Sequence, residues 1–546
     1  MDPSVLRLLV ALPLAWLMAC TMPPPEGHNP FDDVPTPAAD DDASADTDGT
    51  ADGSTDESTG DAPTDPPPAG LAAGITVTRV TANQGVQVDI GRDGFGVGPA
   101  ERQAPLVAGR RTLVRAFWTL DDDFEAREIR ARLTLRSPAE EHSLTYTQTI
   151  DRDAEDHPEG PYFWWILEPD DVVPGLEYSV ELSDAEPSEA PVDTDTSAAR
   201  LPVSGVTAFG VEASPTQLRV VVVPIVHQLG GCAQVPPIGP SEAEIFSRTL
   251  DQLNPVAQLD LQVRDAVLYE ASLGGASDFS DLLTGLSQLR SQDGAAPNVY
   301  YYGIVASCDG LPGGGIVGQA FNTIPSPLPE LGYQRVAVGW WGGNAATTVI
   351  TMIHELGHTQ GLRHVACAGT EGAPDPSYPW PGGITNTWGF GIHDESLHAP
   401  GTSRDYMTYC AGYWVSGFTW RKTFDVIRTL SGWDGQAPDP GSSPGMVVHA
   451  AIYGDGRSDW WTTSGDLGAA VVDPSLRLRA RVDGRDHDVP VLISQRPHGH
   501  TIDIAAALPR GTTLDALALH GLDEVIRPVD SAAVRRLDGA ADELSP

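Results

Sequence analysis

The chain runs to 546 residues, enough for about three domains of ordinary size, and its hydrophobic fraction of 41% with 13 tryptophans can furnish real cores. That content excludes wholesale disorder. The balance of 75 acidic against 33 basic residues leaves a formal net charge of −42, and a polyanion of this kind repels phosphate backbones, which excludes nucleic acid as a partner. Lys422 is the single lysine among many arginines, a compositional habit of GC-rich genomes and not a functional signal.

In chain order, Arg7 precedes an apolar run from Leu8 to Met18 that closes on Leu17-Met18-Ala19-Cys20. The run is too short to span a bilayer comfortably and ends in small residues, as an export signal does. Residues 1–20 resemble a bacterial lipoprotein signal, in which a lipidated Cys20 becomes the first residue of the mature chain. The resemblance implies export, a lipid anchor in the membrane, and residence at the bacterial cell envelope, at the outer membrane or cell surface. A plain signal peptide with an incidental cysteine is the alternative. Residues 21–72 are mostly Asp, Thr, Ser, Pro, Ala and Gly, with 13 acidic residues and no Lys or Arg. Such a segment cannot bury enough apolar surface to offset its ordering entropy and is expected to be a disordered acidic tether.

Residues 73–210 alternate with period two, as in Ile75 to Val80, Thr112 to Trp118, Ala131 to Leu135 and Tyr178 to Leu182, punctuated by Gly, Pro and Asp. This predicts a β-sandwich. The run Tyr162-Phe163-Trp164-Trp165 is expected in its core, with a carbohydrate platform as the alternative. From 215 to about 435 the pattern is mixed. Leu218 to Ile225 is a continuous apolar strand, Ser241 with Glu244 reads as a capping box, and Asp278 to Leu289 has helical spacing. Strands are expected at Asn298 to Ala306 and Gln334 to Trp341. After a Pro/Gly/Ser linker, residues 446–532 return to alternation and are read as a second β-sandwich.

The segment that carries chemistry is HELGHTQGLRH, His354 to His364. On a helix, residues i and i+4 lie about 40° apart around the axis and about 6 Å along it. His354 and His358 therefore share one face and can share one Zn²⁺ at about 2.0–2.1 Å. Glu355 points roughly 100° away, beside the metal, where a general base for an attacking water belongs. Gly361 stops the helix and lets His364 swing back as third ligand, whereas a continuous helix would carry it past the metal. Three imidazoles with an open fourth position make a catalytic site; a structural site would be closed by a fourth protein ligand.

His354-Glu355-x-x-His358-x-x-Gly361-x-x-His364, followed by Asp405-Tyr406-Met407-Thr408-Tyr409, resembles the metzincin signature with its methionine turn. The resemblance implies an α+β catalytic domain, a mixed sheet with an active-site helix, flanked here by two all-β sandwich domains. It also implies zinc peptidase activity, with Met407 as an apolar floor and Tyr409 as a switching ligand of the astacin kind. In that layout an edge strand and one further strand precede the active-site helix. Gly315 to Phe321 is the candidate substrate edge strand, with Ile316, Val317, Gly318, Gln319 and Ala320 facing the peptide and its two glycines letting a peptide backbone approach; a strand interior to the sheet is the alternative. The stretch Asn386-Thr387-Trp388-Gly389 resembles bacterial secreted metzincins, mucin-cleaving enzymes among them, which implies a protein or glycoprotein substrate.

Setting Cys20 aside leaves four cysteines and three possible pairings in an exported chain, where disulfides are permitted. Under the metzincin arrangement Cys367 and Cys410 flank the same metal, which implies Cys367–Cys410 and leaves Cys232–Cys308, each after one of two strands expected to be neighbours. Calcium could occupy the Asp/Gly-rich loops, but no recognisable motif supports it. His227, His393, His398 and His498 have no partner spacing. The expected function is zinc-dependent endopeptidase. The alternative is a cell-surface binding protein or adhesin on a metzincin-like scaffold, against which the intact Glu355 argues, since binding alone would not require it.

Overall fold

Period-two side chains make strands that pair as half-buried sheets. The computed structural model describes residues 70–186, 196–274, 278–310, 317–321, 327–367, 374–434, 445–465, 467, 473–482, 484–496, 501–508, 514–520 and 525–537. Strands dominate, and four α-helices occur among the described residues, none long and apolar enough to cross a membrane. Cys20, the acidic tether up to residue 69, Ile316 and His498 lie outside the described residues. The chain divides into two compact units.

One unit comprises the described residues up to Ala213 together with Trp388–Leu397. Its first antiparallel sheet runs Phe95–Gly96, Gln87–Arg92, Ile75–Asn83, Thr112–Leu120, Phe163–Leu167. The second runs Arg200–Leu201, Glu177–Asp184, Arg127–Arg136, Glu141–Ile150, with Thr207–Ala208 also paired to Glu177–Asp184. Ile129, Ala131, Leu133 and Leu135 alternate inward and are buried. The sheets lie face to face, because a methyl group at Gly91 in the first would overlap Tyr178 and Leu201 of the second. Tyr162 to Trp165 are all buried, with Phe163 4.9 Å from Trp118, so the aromatic run is core and offers no platform. Trp388–Leu397 follows the histidine motif in sequence yet completes this unit. Phe390 and Ile392 pack with Leu113, Phe117, Tyr162 and Trp164, and the Trp388 carbonyl accepts from Asn83 Nδ2 and the Gln87 N–H.

The other unit comprises Ser214–Thr387 and the chain from His398 onward. Its central sheet is built from β1 (Gln217–Leu229), β2 (Cys232–Gln234), β3 (Gln258–Val263), β4 (Val267–Tyr269), β5 (Val299–Val305), β6 (Gly318–Ala320) and β7 (Val336–Trp340). The order is β2-β1-β5-β7-β6, with β3 and β4 also lying along β1. β1 has neighbours on both edges and buried residues on both faces, which is why Val220 to Ile225 run apolar without a break, while Arg219 ahead of them pairs with Asp434. The parallel pairs β1–β5 and β5–β7 end at β6, which is antiparallel.

Four helices accompany this sheet: α1 (Pro240–Leu253), α2 (Asp278–Gln292), α3 (Ala345–Thr359) and α4 (Gly417–Ser431). Adjacent strand residues point to opposite faces. Gly318 faces Thr351 and Glu355 of α3, whereas Gln319 bonds Ser280 of α2, so the two helices cover opposite faces. The start of α1 differs from the sequence expectation. Gly239 is the N-cap and its N–H donates to the Glu242 carboxylate at 2.8 Å, because Pro240, with φ preset for a first helical position, begins the helix ahead of Ser241.

The C-terminal strands are β8 (Gly445–Ile452), β9 (Ser458–Gly465), β10 (Asp473–Val482), β11 (Arg485–Gln495), β12 (Ile502–Leu508), β13 (Leu514–His520), β14 (Val525–Val529) and β15 (Arg535–Arg536). They form one continuous eight-stranded order, β14-β13-β10-β11-β12-β8-β9-β15, where two separate sheets were expected. β11 pairs with β10 through Val491 and with β12 from Leu492. Val448, Trp460, Leu478, Ala480, Ile504 and Leu519 from distant strands share one core, so the sheet folds over on itself.

Candidate metal centre

α3 begins where the Asn344 side chain accepts the Thr347 N–H at 2.8 Å, an N-cap that satisfies one of the helix's open donors. Val349, Met352, Ile353 and Leu356 bury the inner face and fix its rotation. His354 and His358 then stand one turn apart, ring centroids 4.9 Å from each other. The helix ends at Thr359, and Gly361 adopts φ 82°, a left-handed conformation open to glycine at little cost. The Leu362 N–H donates back to the Gly357 carbonyl at 3.1 Å, reversing the chain. His364 returns to 5.3 Å from His354 and 4.7 Å from His358 by ring centroid, with Nε2 of His358 and His364 3.1 Å apart. The ligand atoms of all three lie within 4.8 Å of one another and all three residues are buried.

The donor chemistry fits a metal. His354 Nδ1 lies 2.9 Å from the Tyr406 carbonyl and His358 Nδ1 2.9 Å from the Leu362 carbonyl. A carbonyl only accepts, so each Nδ1 carries the proton and donates it, which directs an Nε2 lone pair inward. Burial, reinforced by the neighbouring His364, pushes His354 down to about 3, so its imidazole is neutral, the form that ligates zinc.

Glu355 is 3% exposed, and burial pushes its carboxyl well above the usual range. β6 leaves room for it: a methyl at Gly318 would come within 2.7 Å of the Glu355 side chain. Tyr302 of β5 is also buried close by, its phenol raised by burial first and by the Glu355 charge second. Sequence reasoning had no spacing signal for Tyr302, which reaches α3 only because β5 neighbours β7 in the sheet.

The segment after the motif is held against α3. A methyl at Gly357 would sit 2.5 Å from Met407 Sδ, so that side chain lies directly on the helix backbone between His354 and His358. Gly357 was passed over in the sequence as a variable motif position. Asp405, fully buried, accepts from the Met407 N–H at 3.0 Å and from the backbone and hydroxyl of Ser416, the N-cap of α4. The Val365 N–H donates to the Met407 carbonyl at 2.9 Å, tying the segment that carries His364 to Met407. Tyr409 Oη is 3.1 Å from His364 Nε2.

Cys367–Cys410 closes this region, and Cys232–Cys308 joins the start of β2 to the turn after β5, with Cα separations of 6.2 and 5.9 Å. A bridge spanning 43 residues stabilises by about 3–4 kcal/mol in the chain-entropy picture. His227 accepts the Cys308 N–H at Nδ1 and meets the Ala271 carbonyl at Nε2, a structural arrangement away from the triad. His398 stacks on Trp414 at 3.5 Å. Trp388, quoted with the bacterial resemblance, is a buried member of the other unit.

β6 stands last in the sheet order. The Trp340 N–H donates to the Val317 carbonyl and the Phe321 N–H to the Val336 carbonyl, so residues 317, 319 and 321 turn their backbone groups toward β7. In an antiparallel pair the intervening residues turn theirs outward, which points the Gly318 and Ala320 groups away from β7. Val317 is 42% exposed, while Gly318, Gln319 and Ala320 are buried. Ala320→Pro removes an outward N–H without breaking the ladder. Cleavage of extended peptides is expected to fall sharply in that variant, with metal content and Tm little changed. Unchanged peptide cleavage would place substrate elsewhere.

No protein-family model and no curated protein matches the chain. Among solved structures it is similar to metalloproteinase-II from Bacteroides fragilis at 13% identity and a TM-score of 0.19, over 51% of this chain and 78% of that one. A superposition this loose carries no argument, and the chemistry is read from the site's own geometry.

Proposed function

We propose that the chain is a zinc-dependent endopeptidase of the metzincin type, acting on extracellular protein or glycoprotein. One observation carries the reading: three buried imidazoles converge beside a buried carboxylate, with both helix histidines oriented by backbone carbonyls. His354, His358 and His364 would hold the ion. When bound, zinc supplies a Lewis acid that polarises a carbonyl and makes water more acidic. Glu355 takes the proton of the attacking water and returns it to the leaving amine, a role suited to a carboxyl whose burial strengthens it as a base. Tyr409 Oη, 3.1 Å from His364 Nε2, stands where it can donate to the developing oxyanion or serve as a further ligand. Met407 supplies the floor. An antiparallel strand at the sheet's end followed by one further strand before α3 supports the metzincin layout.

The test is a peptidase assay with metal analysis on purified protein. Cleavage of an unfolded protein substrate, abolished by chelation and restored by Zn²⁺ at about one ion per chain, is the expected result. One bound zinc with no hydrolysis of any peptide would overturn the enzymatic reading and leave a binding protein.

Export and anchoring rest on residues 1–20. Cys20→Ser is expected to move the protein from the membrane fraction to the soluble one, since acyl chains would be its sole attachment. Persistent membrane association would show another anchor.

A further inference from the structure

α2 is buried on both sides. Its leucines Leu282, Leu283, Leu286 and Leu289 enter the core of the central sheet, and its polar residues Ser280, Asp281 and Thr284 are buried as well. The C-terminal sheet accounts for the second burial. Arg496, the residue after β11, is 1% exposed and reaches α2 with its whole guanidinium. Nη1 donates to the Ser280 carbonyl at 2.6 Å and Nη2 to Thr284 Oγ1 at 2.8 Å. Nε and Nη2 donate to the Asp503 carboxylate at 3.0 and 2.7 Å. Tyr453 Oη donates to the same Thr284 hydroxyl at 3.1 Å, and Arg457 pairs with Asp281 at 3.0 Å.

The same arginine touches the strand beside the metal centre. Its guanidinium carbon stands 4.7 Å over the ring of Phe321, the residue that follows β6. Ser280, whose carbonyl Arg496 holds, donates its own hydroxyl to Gln319 Oε1 at 3.0 Å. Gln319 is the middle residue of β6, and Gly318 before it is the residue against which Glu355 packs. Two routes therefore run from one buried side chain to β6: directly onto Phe321, and through Ser280 to Gln319.

We propose that Arg496 is a positioning residue that lets the C-terminal sheet brace β6, and with it the substrate-facing side of the site. A short strand with one strand partner among the described residues depends on what packs its faces for restraint. Arginine suits the place because a planar fork can hold the Ser280 carbonyl, Thr284 and Asp503 together while lying flat on a ring; a lysine offers one point charge. Asp503 supplies the counter-charge without which the guanidinium could not be buried. What β6 positions rests on the peptidase reading above; that Arg496 braces β6 does not.

The experiment compares the full chain with its Arg496→Lys and Ser280→Ala variants. The second leaves the Arg496–Asp503 pair intact and stands in if the first does not fold. Backbone hydrogen exchange over residues 317–321 is expected to quicken by about fivefold in both, the size of one lost hydrogen bond. For a peptide long enough to lie along β6, KM is expected to rise by a similar factor. The kcat, the metal content and the cleavage of a short peptide that does not reach β6 should stay near wild type. Unchanged exchange at 317–321 in both variants would overturn the proposal. So would equal losses on long and short peptides alongside a lowered Tm, which is what a merely structural arginine would show. Wild-type protein that cleaves no peptide would instead defeat the peptidase reading, and exchange would still decide the brace.

Discussion

Glu355→Gln is expected to retain the metal and the fold and to lose peptide hydrolysis by on the order of 10²–10⁴-fold in kcat, the usual worth of a positioned general base. Glutamine keeps the volume that Gly318 accommodates, where a methyl would come within 2.7 Å of the Glu355 side chain. It removes the only thing the mechanism asks of this side chain, a site for a proton. The substitution also replaces a buried acid with a neutral amide, and burial already disfavours the charged form of that acid. Thermal stability is therefore expected to hold or rise. Metal analysis, Tm and kcat on one preparation separate the possibilities. Undiminished kcat with full metal would assign the base to another residue; lost metal would show that Glu355 supports the ligands instead.

His358→Ala should have the largest effect on the centre itself. His358 contributes Nε2, 3.1 Å from that of His364, and its Nδ1 proton goes to the Leu362 carbonyl just past the helix end. Removing it takes one of three ligands and also leaves a buried carbonyl without its donor. Losing even an outer-shell partner costs about 10–100-fold in metal affinity, so loss of a ligand is expected to cost well over 100-fold. The purified variant should carry essentially no zinc after gel filtration and show no hydrolysis. The unpaired carbonyl is expected to cost about 1–3 kcal/mol besides, seen as a lower Tm even in metal-free protein. Full metal content in this variant would remove the basis of the triad.

The convergence of His354, His358 and His364 was legible in sequence because helix geometry sets it locally: four residues bring two rings to one face, and a glycine at φ 82° brings the third back. Alternation over Ala131 to Leu135 and Tyr178 to Leu182 likewise pointed to strands, which extend to Arg127–Arg136 and Glu177–Asp184, since a period of two has few other readings. Burial of β1 on both faces was legible from the apolar run Val220 to Ile225. These are short-range facts, carried by residues within a few positions of one another.

What only the tertiary structure decided is where distant segments meet. Nothing near Trp388–Leu397 tells that Phe390 and Ile392 belong to a core made by Leu113 and Trp164, because packing partners carry no sequence spacing. Asp405 stands in the quoted turn, yet its tie to Ser416 depends on α4 beginning beside it. Nothing local to α2 marks its polar residues as buried; Ser280 and Thr284 are enclosed where Arg496, more than 200 positions later, brings its donors to them. The chain's periodicity determined its elements, helix geometry with Gly361 determined the convergence of the three histidines, and the closing of long loops, which has no local signature, determined what surrounds them.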